Sequence, residues 1–199
     1  AELHRAGAGF GEGLRERLGK DGDGVVKKFL IAMAFGAALV SPAWAQKAEA
    51  ERAPDPIVQF SESDAAMNAA IAEARRSYPQ FLTQFNAAPA REASQSYMLK
   101  LGLPTPDGGH EHIWVSNLRR ERGQLVGDLA NEPVGLPGRH AGSRVEIDDA
   151  LVSDWAIFAD EGMYGSFTTR VMLPFIDPSE AASLRQMLTP QPLPAGWSH

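Results

Sequence analysis

His110 and His112, two residues apart, are the most conspicuous chemistry in this chain. In an extended segment residues i and i+2 project from one face, so both imidazoles can meet one ligand. Such a pair binds zinc, copper or nickel if a third ligand joins it, and Asp128 and His140 are the candidates. Glu111 lies between the two and points the other way. There is no cysteine and no His-x-x-x-His spacing, so neither thiolate ligands nor a helical metal motif supports the pair. A metal-binding protein or metal-dependent enzyme using His110 and His112 stands as one alternative. The bland reading is two ordinary histidines at a loop-to-strand junction, and no cofactor is expected.

Glu111, Asp128, Asp154 and Asp160 are carboxylates in the same region. Two of them with separated pKa values could do acid-base work. Asp154, just before Trp155, reads instead as a local turn hydrogen bond. Ser116, Ser153 and Ser166 sit in no Gly-x-Ser-x-Gly elbow, and neither a phosphate loop nor a dinucleotide fingerprint is present. Trp114, Trp155 and Tyr164 could line a ligand groove if two of them share a face; otherwise they are core. Asn131-Glu132-Pro133 could form its rim. Trp114, Asn131, Glu132, Asp154, Trp155 and Tyr164 are thus the candidate partner-binding residues, with no catalytic residue among them. The loop 131–142, with two prolines and three glycines after its first residues, is where a partner would bind.

The elements that must position these residues follow from periodicity. Ser61 can cap a helix, with Met67, Ile71 and Ala74 on one face, ending near Tyr78 before Pro79. Phe81, Leu82 and Phe85 suggest a second short helix. Ser94 to Leu103 reads as a strand, and Pro104 to Gly109 as a turn. A hairpin follows, with Ile113 and Val115 on one face, His112 and Trp114 on the other, and a loop at Arg119 to Gly123. Arg144 to Ile147 reads as a short strand, and Asp149 to Asp154 as a turn or one helical turn. Trp155 to Ala159 and Tyr164 to Leu173 read as a hairpin around Asp160-Glu161-Gly162. Asp177-Pro178-Ser179-Glu180 opens a helix that runs to about Leu188. This pattern predicts a single α+β domain over 61–188. Its antiparallel sheet is built from hairpins, with one or two N-terminal helices and a C-terminal helix packed on it. A linker at 46–60 precedes the domain, and a Pro-rich tail at 189–199 follows it.

The N-terminal quarter bears on location. Val26-Lys27-Lys28, an apolar run from Phe29 to Val40 and the triplet Ala43-Trp44-Ala45 have the order of a secretory signal peptide, 26–45. The run is too short to span a bilayer, which takes about 20 apolar residues. Residues 1–25 are then a non-native or mis-called extension, and cleavage after Ala45 leaves Gln46 first. From Gln46 on, 13 Lys and Arg face 20 Asp and Glu, a net charge of −7. That excludes non-specific nucleic-acid binding, which rests on basic groups, and adsorption to an anionic membrane. Without cysteine there is no disulfide and no lipid-anchored N-terminus. The expected product is a periplasmic or secreted protein, free of the membrane once cleaved.

A set of residues occurs in a telling order: Lys100, Glu111-His112-Ile113-Trp114-Val115, Gly127, Asn131-Glu132-Pro133, Gly142, Asp154-Trp155 and Gly162-x-Tyr164-Gly165. Over 61–173 this resembles the YegJ-like bacterial family of unknown function (the DUF2314 domain). The resemblance implies no established activity, cofactor or catalytic residue. It implies export for many members. By analogy it also extends to small immunity proteins that neutralise bacterial toxins. The sequence therefore points to an exported, non-catalytic binding module for a protein or small ligand. The metal-dependent protein and the immunity-type protein remain the alternatives.

Overall fold

Helix α1, Ala65–Ala87, sets the architecture. In the computed structural model, which describes residues 64–197, Asp64 caps it by accepting from the Met67 amide at 2.8 Å. The expected extension, signal peptide, linker and Ser61 cap lie outside the described residues. The helix does not stop at Pro79, as its sequence suggested, but passes through it. The Pro79 ring removes one amide donor, at a cost of about 3 kcal/mol. Pro79 and Arg75, whose carbonyl loses its partner, are both exposed, so water can replace the missing bond. Continuing keeps Tyr78, Phe81 and Phe85 on one buried stripe. Each such ring contributes about 1.5–3 kcal/mol on burial, so the stripe outweighs the proline. The expected second short helix is simply the end of α1.

Helix α2 (Ala90–Ser96) leads directly into β1, Tyr97–Pro104. The strand therefore starts three residues later than alternation indicated. It is followed by β2 (His110–Glu121), β3 (Gln124–Leu129), β4 (Arg144–Glu146), β5 (Val152–Ala159) and β6 (Gly162–Gly165). They form one antiparallel sheet in the order β4-β3-β2-β1-β5-β6. The β2–β3 loop is tighter than expected. Arg119, Arg120 and Glu121 pair with Val126, Leu125 and Gln124, leaving only Arg122-Gly123 at the tip. Both have positive φ, 51° and 87°, the sign combination of a two-residue type I′ turn. The charged run looked like a loop but is strand, its charges paired as Arg119 with Glu121 and Asp128.

Two cores lie on opposite faces of the sheet. On the first face Tyr97, Leu99, Ile113, Val115, Leu129 and Trp155 meet the aromatic stripe of α1. On the second, Met98, Trp114, Ala156 and Met163 meet Leu184 of α4. That helix spans Pro178–Met187, with Asp177 capping the Ser179 and Glu180 amides as its sequence required. The chain is α+β, as expected. The region after β6 departs from expectation. Of the expected strand Tyr164 to Leu173 only Tyr164 and Gly165 pair with β5, because Ser166 at φ 54° turns the chain into α3, Phe167–Met172.

The C-terminal segment runs along the outer edge of β6. Thr189 donates to the Met163 carbonyl at 3.1 Å, and the Gly165 amide donates to Pro192 at 2.7 Å. Arg170 clasps this strap, donating to the carbonyls of Gly165 and Thr189, both at 2.9 Å. Its last described residue, Trp197, lies against Trp155 with ring centroids 5.3 Å apart.

Candidate functional site

Two sites grow out of this frame, and each is organised by a carboxylate. The first begins with an ionisable residue in the middle of an apolar strand. β1 is buried on both faces, so Lys100, only 7% exposed, is held inside the second core. Its neighbour across the β1–β5 ladder is Asp154, which is fully buried. Asp154 is mid-strand and not in a turn. Its carboxylate accepts from the Trp155 amide at 2.8 Å, the Phe167 amide at 3.1 Å and the Thr168 amide at 2.8 Å. The Thr168 hydroxyl donates to it as well, at 2.6 Å. Lys100 Nζ donates to that same hydroxyl at 3.1 Å and lies 5.3 Å from the centre of the Trp114 ring. Thr168 is thus the bridge of a buried Lys–Thr–Asp chain. Burial pushes the Lys100 ammonium below the usual lysine range and the Asp154 carboxyl above its own, and each charge opposes the shift of the other.

His112 lies beside this chain. A side chain at Gly102 would have its Cβ 3.0 Å from His112 Cε1, so the imidazole is laid flat over the glycine. Its Nδ1 is 2.9 Å from Ser153 Oγ, and Ser153 in turn donates to the Lys100 carbonyl at 3.2 Å. The β1–β5 register slips between Lys100 and Leu101, and the hydroxyl serves the carbonyl at that irregularity. One side of the ring is therefore fixed and the other edge faces solvent. Packing over Gly102, then the Lys100 charge, hold the imidazole below the usual histidine range.

The second site is the loop 131–142. Glu111, on the opposite side of β2 from the histidines, accepts from the Val134 amide at 2.9 Å and the Gly135 amide at 2.7 Å. Glu132 accepts from the Ala141 amide at 3.0 Å and contacts His140 Nδ1 at 3.1 Å. Those partners hold the Glu132 carboxyl below the usual range, the Ala141 amide most. Leu136 enters the first core, and the Gly142 amide closes the loop onto the Leu129 carbonyl at 2.8 Å. Between these fixed points Val134 stands 84% exposed.

The expected residues are distributed between these sites. His110 and His112 do share a face, as alternation required. The proposed third ligands are elsewhere: Asp128 accepts from Asn117 at 2.6 Å and Arg119 at 3.0 Å, and His140 is in the loop. Among the described residues no group of three His, Asp or Glu side chains is placed to hold a metal ion. Trp114 and Trp155 face opposite cores and line no common groove. Trp155 Nε1 donates to Ala74 at 3.1 Å and to Ser77 Oγ at 3.0 Å, and Tyr164 packs half-buried against the same core. Asn131 and Glu132 begin the pinned loop. Sequence reasoning passed over Lys100 and Thr168 as site residues. The signal for Lys100 was present, as one cation within the run Tyr97-Met98-Leu99-Lys100-Leu101. Thr168 had none, because its partner is 14 residues away.

Comparison with known proteins gives one match. A family model described as an uncharacterised protein conserved in bacteria (DUF2314) matches residues 64–187, and the chain belongs to that family. No curated protein and no solved structure matches.

Proposed function

We propose that this DUF2314 member is an exported, non-catalytic binding module whose partner engages the loop 131–142. One observation carries the reading: the loop is tied down by Glu111, Glu132 and Leu136, yet presents Val134 to solvent. An apolar side chain on a pre-ordered loop binds without the entropy cost of ordering that loop. Loops held by a rigid scaffold are where recognition residues gather. The buried Lys–Thr–Asp chain serves a different purpose, joining β1, β5 and α3 beneath the surface.

The test places a photo-crosslinking residue at Val134 and, as a control, at the exposed Gln186 of α4. The expected result is one adduct of discrete mass from position 134 in an extract of the native host, absent from position 186 and weakened by Glu111→Ala. Equal labelling from both positions overturns the loop assignment. Turnover in a broad hydrolase screen that one polar substitution abolishes overturns the non-catalytic reading. Export is tested separately by the mass of the N-terminus in the host. Gln46 as first residue supports it, and retention of Phe29 to Val40 refutes it.

A further inference from the structure

The imidazole of His112 is embedded in a hydrogen-bond chain with an open end. When the ring carries both protons, Nδ1–H donates to Ser153 Oγ and Ser153 Oγ–H donates to the Lys100 carbonyl, so each inner donor has its acceptor. Among the described residues only Nε2–H of this exposed side chain is left without one. Among the described residues no carboxylate acts on the ring as a counter-charge. The groups whose charge acts on the ring are all basic: Lys100 from β1, His110 from β2 and Arg75 from α1. The nearby acids are engaged elsewhere. Asp154 is buried with its four donors, and Glu111 leaves the other side of β2 to hold Val134 and Gly135. Asp107, in the β1–β2 turn, is held by the Thr105 hydroxyl and the Gly109 amide.

This local field is basic in a chain of net charge −6. It bears directly on which ligand two histidines on one face would take. A metal cation would enter against Lys100 and Arg75 with no carboxylate to join it. An anion meets the opposite situation, since it supplies the charge that a doubly protonated imidazole lacks. From the placement of His110, His112, Ser153 and Lys100 we infer that this face is a binding site for a compact phosphate-type oxyanion and not for a metal. His110 and His112 contact the anion through ring N–H groups. Ser153 and Gly102 fix the ring that makes the contact, and Lys100 contributes charge from beneath. A phosphate-type oxyanion is favoured over a carboxylate because two imidazoles share this face, and its several oxygens can accept from both. This site is separate from the loop 131–142, and its success or failure leaves the loop proposal untouched.

The experiment follows the histidine side-chain resonances of the full chain by NMR at pH 6 while inorganic phosphate is added, with chloride at matched ionic strength as the control. Saturable shifts of His110 and His112, with His140 unmoved, are the expected result. Binding should weaken at pH 8 and fall about tenfold in His112→Ala, the loss of one charge-assisted contact. Because His112 is on the surface, that variant should melt as the parent does, and a His140→Ala control should bind phosphate normally. Shifts no larger than those from chloride overturn the site. Acetate binding as tightly as phosphate overturns the phosphate-type assignment. Stoichiometric zinc or nickel uptake that His112→Ala abolishes overturns the preference for an anion.

Discussion

Glu111 and Asp154 perform the same operation at two depths. Each carboxylate gathers backbone amides from a segment distant in sequence and so fixes where that segment lies. Glu111 holds two amides of a surface loop from a half-buried position. Asp154 holds three amides and a hydroxyl with no access to water. The difference lies in what remains when the carboxylate is removed. At the surface, water can take over the freed amides. In the interior nothing can, and the Lys100 ammonium is stranded as well. Depth therefore separates a clamp the fold cannot lose from one that shapes a surface loop.

That contrast can be broken by substitution. Asp154→Ala should have the largest effect, about 3–5 kcal/mol of stability, the cost of leaving a buried charge without its partner. Urea unfolding measures it, and a loss under about 1 kcal/mol would mean that α3 is held by other means. Glu111→Ala should cost about 1–2 kcal/mol at most, since both freed donors become hydrated. Its distinctive readout is hydrogen exchange, fast at Val134 and Gly135 and unchanged in β1. Faster exchange in β1 would erase the distinction between the two clamps. Glu132, the most exposed of the three carboxylates, should have the smallest effect. Its carboxyl is held below the usual 4.5, so its hold on Ala141 is present above that pH and is lost as pH falls through the lowered value. Exchange at Ala141 should quicken over that acid range, while global stability falls only slightly with Glu132 titration because the group is exposed.

Much of the frame was legible because it is periodic. Alternation placed Ile113 and Val115 opposite His112 and Trp114, and the Asp177-Pro178 cap announced α4. The departures share a cause, which is that a distant partner outweighed a local signal. Pro79 reads as a stop, but the stripe containing Phe81 and Phe85 belongs to the same helix because a sheet lies beneath it. Thr168 and Arg170 read as strand after Tyr164, yet the amides of Phe167 and Thr168 are drawn to Asp154, and the chain coils there. Asp154 itself looked like a turn residue, because a carboxylate inside a central strand is improbable until its donors are known. The pinned loop was visible as a loop, but its pins were not, since Glu111 is 23 residues from Val134.

The strap along β6 has a consequence for the order in which the chain can fold. Trp155 is fastened on one side to Ala74 and Ser77 of the first helix and is roofed on the other by Trp197, in the segment that follows α4. The central aromatic cluster therefore waits for both ends of the domain. Until Thr189 and Pro192 arrive, the outer edge of the sheet offers unpaired backbone groups, the kind of edge on which chains associate wrongly.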